Sequence, residues 1–118
     1  MPTHMEATDF IPDHSGMRAL YYDSQDPSNP IVEPVVGWLK QREVEWDPRT
    51  GELIKETSYI EFVAAILSYG AVDAAKDADN FWFILAPGAP MPDAAECQSA
   101  YADYEKRRAD RARKRQAG

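Results

Sequence analysis

Apolar and polar positions alternate most regularly in the segment from Pro34 to Trp46. One face of this segment is apolar and the other is polar, with Val36, Trp38, Val44 and Trp46 against Gln41, Glu43 and Glu45. Because successive side chains of a strand point to opposite faces, this pattern predicts a strand with one buried face. The turn-forming segment 47–51 (DPRTG) follows and a return strand begins at Glu52, so we predict a β-hairpin over residues 34–66.

Residues 59–69 extend the return strand with a mixed pattern. Their aromatic and β-branched residues favour a strand, whereas their alanines, Glu61 and Leu67 tolerate a helix. We expect a bent strand there, with a helix as the alternative. The apolar run Phe81–Ala86, closed by a Pro-Gly pair, predicts a strand that is buried on both faces or lies in the centre of the sheet. The bulky residues of Arg18–Tyr22 predict a short strand at a sheet edge.

A helix is predicted over residues 93–115. Asp93 and Glu96 have the spacing of a capping box, which satisfies the free amides at the start of a helix. Apolar residues then recur at helical spacing on one stripe, which consists of Ala94, Cys97, Tyr101 and Tyr104. The same stripe continues with three arginines, Arg108, Arg111 and Arg115. We therefore expect the first half of the helix to dock on the sheet and the second half to project into solvent.

These elements predict a small α+β fold. Its twisted, mainly antiparallel sheet combines the hairpin 34–66 with the strand 81–86, and one C-terminal helix packs across it. The chain of 118 residues is long enough for one core. Turn-forming residues dominate its start, so we expect a mobile N-terminal arm over residues 1–16 and a single domain over residues 17–104. Residues 105–118, the basic helix end, complete the chain.

Charge divides the chain unevenly. Residues 1–104 carry 18 acidic and 6 basic side chains, a net charge of −12, whereas residues 105–118 carry 7 basic and 2 acidic ones, a net charge of +5. The acidic body repels nucleic acid and anionic membranes, and only the basic helix end attracts them. The apolar runs are shorter than the roughly 20 residues of a membrane-spanning helix, and the chain begins without a signal-peptide pattern. We therefore expect a cytoplasmic protein without a membrane partner.

Residue types that carry nucleophilic chemistry are scarce. The two histidines, His4 and His14, both fall in the predicted arm, where a side chain cannot keep catalytic geometry. The single cysteine, Cys97, lies on the apolar stripe of the predicted helix. We expect it to be a small buried side chain, although a position near the start of a helix lowers the pKa of a thiol.

Three aspartates, Asp73, Asp77 and Asp79, cluster in residues 71–80, a predicted loop with one helical turn. They lack the central glycine and the closing glutamate of a calcium-binding loop, so we expect a solvated loop. The sequence also contains no glycine-rich phosphate loop. We therefore expect no enzyme, no catalytic residue, no cofactor and no metal site.

Aromatic residues are dense in the predicted sheet. In a regular strand Trp82 faces the side opposite to Phe81 and Phe83, so the sheet has two aromatic faces to cover. Either the helix and the N-terminal segment cover them, or one face stays exposed and forms a partner site or a homodimer interface. For the second alternative the candidate contact residues are Trp38 and Trp82.

The basic helix end has three interpretations. It is a solvated helix terminus, a site for an acidic protein (including the acidic body of a second copy), or a non-specific contact for nucleic-acid phosphates. No aromatic residue follows Tyr104, so stacking on bases is not expected. The candidate partner-binding residues are Arg107, Arg108, Arg111 and Arg115.

The segment EPVVGWLKQREVEWDPRTGEL, together with a composition rich in alanine, aspartate and arginine, resembles small uncharacterised proteins of GC-rich actinobacteria and their phages. This resemblance implies an accessory protein that binds another protein, in the host cytoplasm if the chain is phage-encoded. We therefore expect a non-enzymatic protein–protein interaction protein. A nucleic-acid-associated protein that uses residues 105–115 is the alternative, and a small enzyme comes third.

Overall fold

A computed structural model describes the backbone of residues 3–117 and the side chains of residues 5–45, 47–52 and 59–116. Within this part of the chain, strands come first and a single long helix comes last. The elements are β1 (Thr3–Pro12), β2 (Arg18–Tyr21), β3 (Ile31–Pro34), β4 (Gly37–Trp46), β5 (Leu53–Ser68), β6 (Ala71–Ala74), a turn of 3-10 helix (Ala75–Asp77), β7 (Phe81–Leu85) and α1 (Ala94–Ala117).

The strands form two antiparallel sheets. The larger sheet has the strand order β1–β4–β5–β6 and the smaller one has the order β3–β2–β7. The predicted α+β class, the β4–β5 hairpin and the C-terminal helix are confirmed. In the hairpin loop the Gly51 N–H donates to the Asp47 carbonyl at 2.8 Å, and Gly51 has a φ of 72°, a conformation that glycine adopts without strain.

β5 includes the segment of mixed pattern, so residues 59–68 form a strand and the helical alternative is wrong. Tyr69 and Gly70 follow with φ angles of 50° and 82°. Two consecutive residues with positive φ make a tight hairpin turn, which reverses the chain into β6. The predicted loop 71–80 therefore contains a short strand in addition to its helical turn.

β1 occupies most of the segment predicted as a mobile arm, residues 1–16, of which residues 1 and 2 lie outside the described chain. It pairs antiparallel with β4 and places Phe10 opposite Leu39. The Phe10 ring lies against Gly37, where a β-carbon would come within 2.5 Å of the ring. The open edge of β4 supplies the hydrogen-bond partners of β1. The composition of the first residues does not reveal a partner this distant in sequence.

β2 lies in the centre of the smaller sheet and β7 at its edge, the reverse of the predicted positions. β7 contains a bulge, because Leu20 lies opposite Phe83 while Tyr21 lies opposite Phe81, which leaves Trp82 as an extra residue. A bulge interrupts the alternation of side chains between the two faces. Trp82 and Phe83 consequently contact each other with ring centres 5.0 Å apart, and the expected separation of these two rings is wrong.

The main core lies between the two sheets. It consists of the buried side chains of Ala19, Tyr21, Val35, Ala64 and Ala75. The Tyr21 hydroxyl donates a hydrogen bond to the Ala75 carbonyl at 3.0 Å, so this buried polar group is satisfied. A second apolar cluster lies on the other face of the larger sheet and contains Leu39, Val63, Ala65 and Ala74. The side of the smaller sheet that faces away from the main core receives α1.

Candidate functional site

Trp38 is half-buried and packs against the main core between the sheets. Its indole Nε1–H donates to Oδ2 of Asp13 at 2.9 Å, which ties β4 to the turn after β1. This hydrogen bond, together with one from the Ser15 backbone N–H, lowers the pKa of Asp13 because both favour the charged carboxylate. The ring of Trp38 therefore already has a polar and an apolar partner within the chain.

Trp82 belongs to an aromatic stack of three rings, Trp82, Tyr22 and Tyr104. Tyr22 lies in the middle, with its ring centre 5.3 Å from that of Trp82 and 4.5 Å from that of Tyr104. Both pairs are nearly parallel, a favourable arrangement when the rings are offset. Since Trp82 belongs to β7 and Tyr104 to α1, the aromatic stack is one of the contacts that dock the helix on the smaller sheet.

The start of α1 is capped as the sequence predicts. Oδ1 of Asp93 accepts a hydrogen bond from the Glu96 N–H at 2.8 Å. Cys97 is 1% exposed, and its thiol contacts the Pro92 carbonyl at 3.7 Å. Burial raises the pKa of this thiol, and the nearby charges of Asp93 and Glu96 raise it further. These effects exceed that of the helix start, so the Cys97 thiol is a poor nucleophile at neutral pH.

Beyond Tyr104 the helix is rich in basic side chains and has few apolar side chains that could pack on the sheet. The four predicted arginines are all exposed, namely Arg107, Arg108, Arg111 and Arg115. The Arg108 guanidinium lies 5.6 Å from the centre of the Tyr104 ring and forms an ion pair with Glu105 at 3.2 Å. Arg108 therefore joins the docked half of α1 to its exposed half through a cation–π contact.

Three of the predicted residues lie together in one cleft. Arg108, Arg111 and Arg115, here called the arginine stripe, line a cleft of about 180 Å³ together with Asp79 from the segment before β7. Arg107 lies beside this stripe and lines a separate, open hollow with Arg111 and Lys114. The proximity of Asp79 to the stripe has no signal in the sequence, because it depends on how α1 crosses the smaller sheet.

The two tryptophans do not join this cleft. Trp38 packs between the sheets, whereas Trp82 lies in the aromatic stack on the α1 side of the smaller sheet. Tyr22, the central ring of that stack, was not among the predicted site residues. Tyr22 directly follows β2, and the tyrosines Tyr101 and Tyr104 belong to the helix stripe. The sequence does not show that these two segments meet, because the contact depends on the tertiary fold.

The remaining candidates for chemistry are dispersed. His14 is exposed, and the side chain of His4 lies outside the described residues. Where side chains are described, no three groups of the kind that bind metals lie close enough to hold an ion. The described part of the chain also contains no helix that combines the length and the apolarity needed to cross a membrane. Comparisons with protein-family models, curated proteins and solved structures find no match for this chain.

Proposed function

We propose that this chain is a non-enzymatic cytoplasmic binding protein whose basic helix end contacts an acidic surface of a partner protein. The observation that supports this proposal is the arrangement of α1. Its first half is anchored by the aromatic stack, so its second half presents the arginine stripe at a defined position beside the smaller sheet. Guanidinium groups bind carboxylates in a planar, two-point geometry, so such a row of arginines suits acidic side chains, although it suits phosphates as well.

In this proposal the two tryptophans support the contact surface from within the fold. Each ring has partners inside the chain, Asp13 for Trp38 and Tyr22 for Trp82. Substituting either ring would therefore disturb packing as well as any partner contact. The arginines are exposed, so they allow the partner contact to be tested with less change to the core, although Arg108 also lies over the buried Tyr104 ring.

An acidic protein suits the stripe better than nucleic acid does. Acidic residues stand among the cations, with Asp79 in the cleft, Glu105 paired to Arg108 and Asp110 paired to Arg113. These charges lower the potential that any anionic partner would meet. The densely charged phosphate backbone is repelled more strongly by them and by the acidic body than a protein surface with a few carboxylates is.

The double substitution Arg108→Ala and Arg111→Ala is expected to abolish partner capture. Each arginine that forms a charge-assisted hydrogen bond contributes about 1.5–3 kcal/mol, so losing two should weaken binding by roughly a hundredfold or more. The measurement is affinity capture from a cell lysate with the immobilised chain, followed by quantitative mass spectrometry. Some proteins should be retained by the unmodified chain at low salt and released at high salt. The variant should fail to retain these proteins.

The matched control is Lys106→Ala with Arg113→Ala. Like the test variant, it removes two positive charges from the basic helix end, but it leaves the arginine stripe intact. We expect this control to retain the captured proteins. If both double variants capture the same set as the unmodified chain, the stripe is not the contact surface; if both lose it, only net charge matters.

The second candidate function is nucleic-acid binding, which the seven basic side chains of residues 105–118 favour. We expect a Kd for duplex DNA weaker than about 10⁻⁴ M at physiological salt, the weak end of non-specific binding. Gel-shift or anisotropy titrations over a range of salt concentrations measure it. Tighter binding whose log–log salt dependence has a slope near −0.9 per phosphate, and which Arg108→Ala/Arg111→Ala removes, would instead establish the nucleic-acid function.

A further inference from the structure

A groove runs across the end of the molecule where β3, β5 and the segment after β6 meet. It consists of two hollows of about 200 Å³ and about 250 Å³ that share Ile66 and Ala78. We call it the end groove and define it by Tyr21, Ile31, Glu33, Ile66, Asp73 and Asp77. Ile31 is 41% exposed, so the groove offers apolar surface to solvent.

The charged side chains of the end groove are acidic. Glu33 lines one hollow, and Asp73 and Asp77 line the other, while none of the described lining residues is basic. The charge of Glu33 acts on the groove, since it adds to burial in raising the pKa of Tyr21. An occupant of this groove should therefore combine cationic groups with short apolar side chains.

The lysine beside this groove is already engaged. Lys76 forms an ion pair of 2.8 Å with Glu61 and lines a different cavity with Phe81 and Ile84. The ion pair raises the pKa of Lys76 and lowers that of Glu61, because each charge stabilises the other. The charge of Asp77 adds to the rise in the pKa of Lys76, so Lys76, which is shared with Glu61, offsets only part of the acidic rim of the end groove.

The basic helix end has the complementary composition. Arg107, Arg111 and Lys114 line one exposed side of α1 together with the acidic Asp110, so this side carries a net positive charge. Among the described residues, the hollows along this helix end share no lining residue with the end groove. The helix end of one molecule therefore does not fill its own groove.

We propose that the end groove binds the basic helix end of a second copy of this chain, so that two molecules exchange their helix ends in a two-fold symmetric dimer. This inference rests on the proposed function, in which the helix end binds acidic protein surfaces, and it names the second copy as such a surface. The net charges of −12 and +5 on the two parts of the chain supply the attraction. A two-fold arrangement uses both contacts and closes the assembly.

The first test is the molar mass in solution, measured by size-exclusion chromatography with light scattering. At about 0.05 M salt we expect twice the 13.3 kDa of one chain, and at about 0.5 M salt a shift to the monomer, because the Debye length falls from about 14 Å to about 4 Å. A monomer at low salt and high protein concentration overturns the inference. A dimer that is equally stable at both salt concentrations overturns it as well.

Charge reversal tests which surfaces meet. Asp73→Lys/Asp77→Lys reverses the groove and Arg107→Glu/Arg111→Glu reverses the helix, and each variant alone should dissociate at least about tenfold more readily, since like charges face each other. Mixing the two variants restores opposite charges at both contacts and should restore the dimer. The control Asp9→Lys/Glu52→Lys changes exposed acids far from the groove along the sheet and should remain dimeric.

Failure of this inference is distinguishable from failure of the proposed function. The groove variant keeps its arginine stripe, so it should still capture other acidic proteins while it is monomeric. If the groove variant and the helix variant each remain dimeric when measured alone, the exchanged-helix dimer is wrong. It is also wrong if their mixture stays monomeric while each variant keeps the circular-dichroism spectrum and the melting temperature of the unmodified chain. If the arginine stripe captures no other protein but the charge-reversal variants behave as the exchanged-helix dimer requires, the partner is the second copy alone.

Discussion

Replacing Tyr22 by alanine is expected to lower the free energy of unfolding by about 3–5 kcal/mol, the range for removing a large buried aromatic side chain. Tyr22 is 7% exposed and is the central ring of the aromatic stack. Its removal leaves Trp82 and Tyr104 without the ring between them and opens a cavity under α1. The measurement is equilibrium unfolding in urea, with near-ultraviolet circular dichroism reporting the aromatic packing.

The control for this substitution is Tyr101→Ala. Tyr101 also contacts Tyr22, but at a ring-centre distance of 6.3 Å with tilted planes, and it is half-buried. We expect it to cost clearly less stability than Tyr22→Ala. Equal losses for the two variants, or a loss below about 1 kcal/mol for Tyr22→Ala, would show that the stack does not hold the helix.

The same variant connects the packing to the proposed function. Tyr22→Ala leaves every arginine in place but removes the central ring of the stack, which helps to hold the direction of α1. If the arginine stripe acts through a defined position, partner capture should fall in Tyr22→Ala even where the protein remains folded. A stripe that acts only through its charge would be insensitive to this change.

The substitution Gly37→Ala is expected to destabilise the protein by about 1–3 kcal/mol or more, because it over-packs the contact between β1 and β4. A β-carbon at Gly37 would lie 2.3 Å from the carbonyl oxygen of Ile11 and 2.5 Å from the Phe10 ring. The ring can move, whereas the carbonyl belongs to a paired strand. Relieving the contact therefore requires β1 to separate locally from β4.

Hydrogen exchange tests this prediction at the level of single strands. Amides of β1 should lose protection in Gly37→Ala, while those of the smaller sheet keep it. Gly88→Ala is the control, since a β-carbon there meets no atom within 4 Å and only the positive φ of 74° carries a cost. Unchanged protection of β1 in Gly37→Ala would contradict the close approach of Phe10 and Gly37.

Elements defined by neighbouring residues follow from the sequence. The β4–β5 hairpin depends on the turn chemistry of residues 47–51, and the start of α1 depends on the spacing of Asp93 and Glu96. The helix stripe is local as well. Its period of 3.6 residues assigns Cys97 and Tyr104 to the buried side and the arginine stripe to the exposed continuation.

The positions decided by the tertiary structure are those where distant segments meet. Residues 3–12 form a strand because they pair with β4, although their composition predicts a mobile arm. The order of the smaller sheet places β2 in its centre. The bulge at Trp82 brings Phe83 against Trp82, whereas strict alternation predicts that these two rings lie on opposite faces. The arginines are visible in the sequence, but the position of Asp79 in their cleft and the acidic end groove arise only when the two sheets and α1 pack. The reason is that hydrogen bonding and burial between segments far apart in the chain override the local pattern of apolar and polar residues.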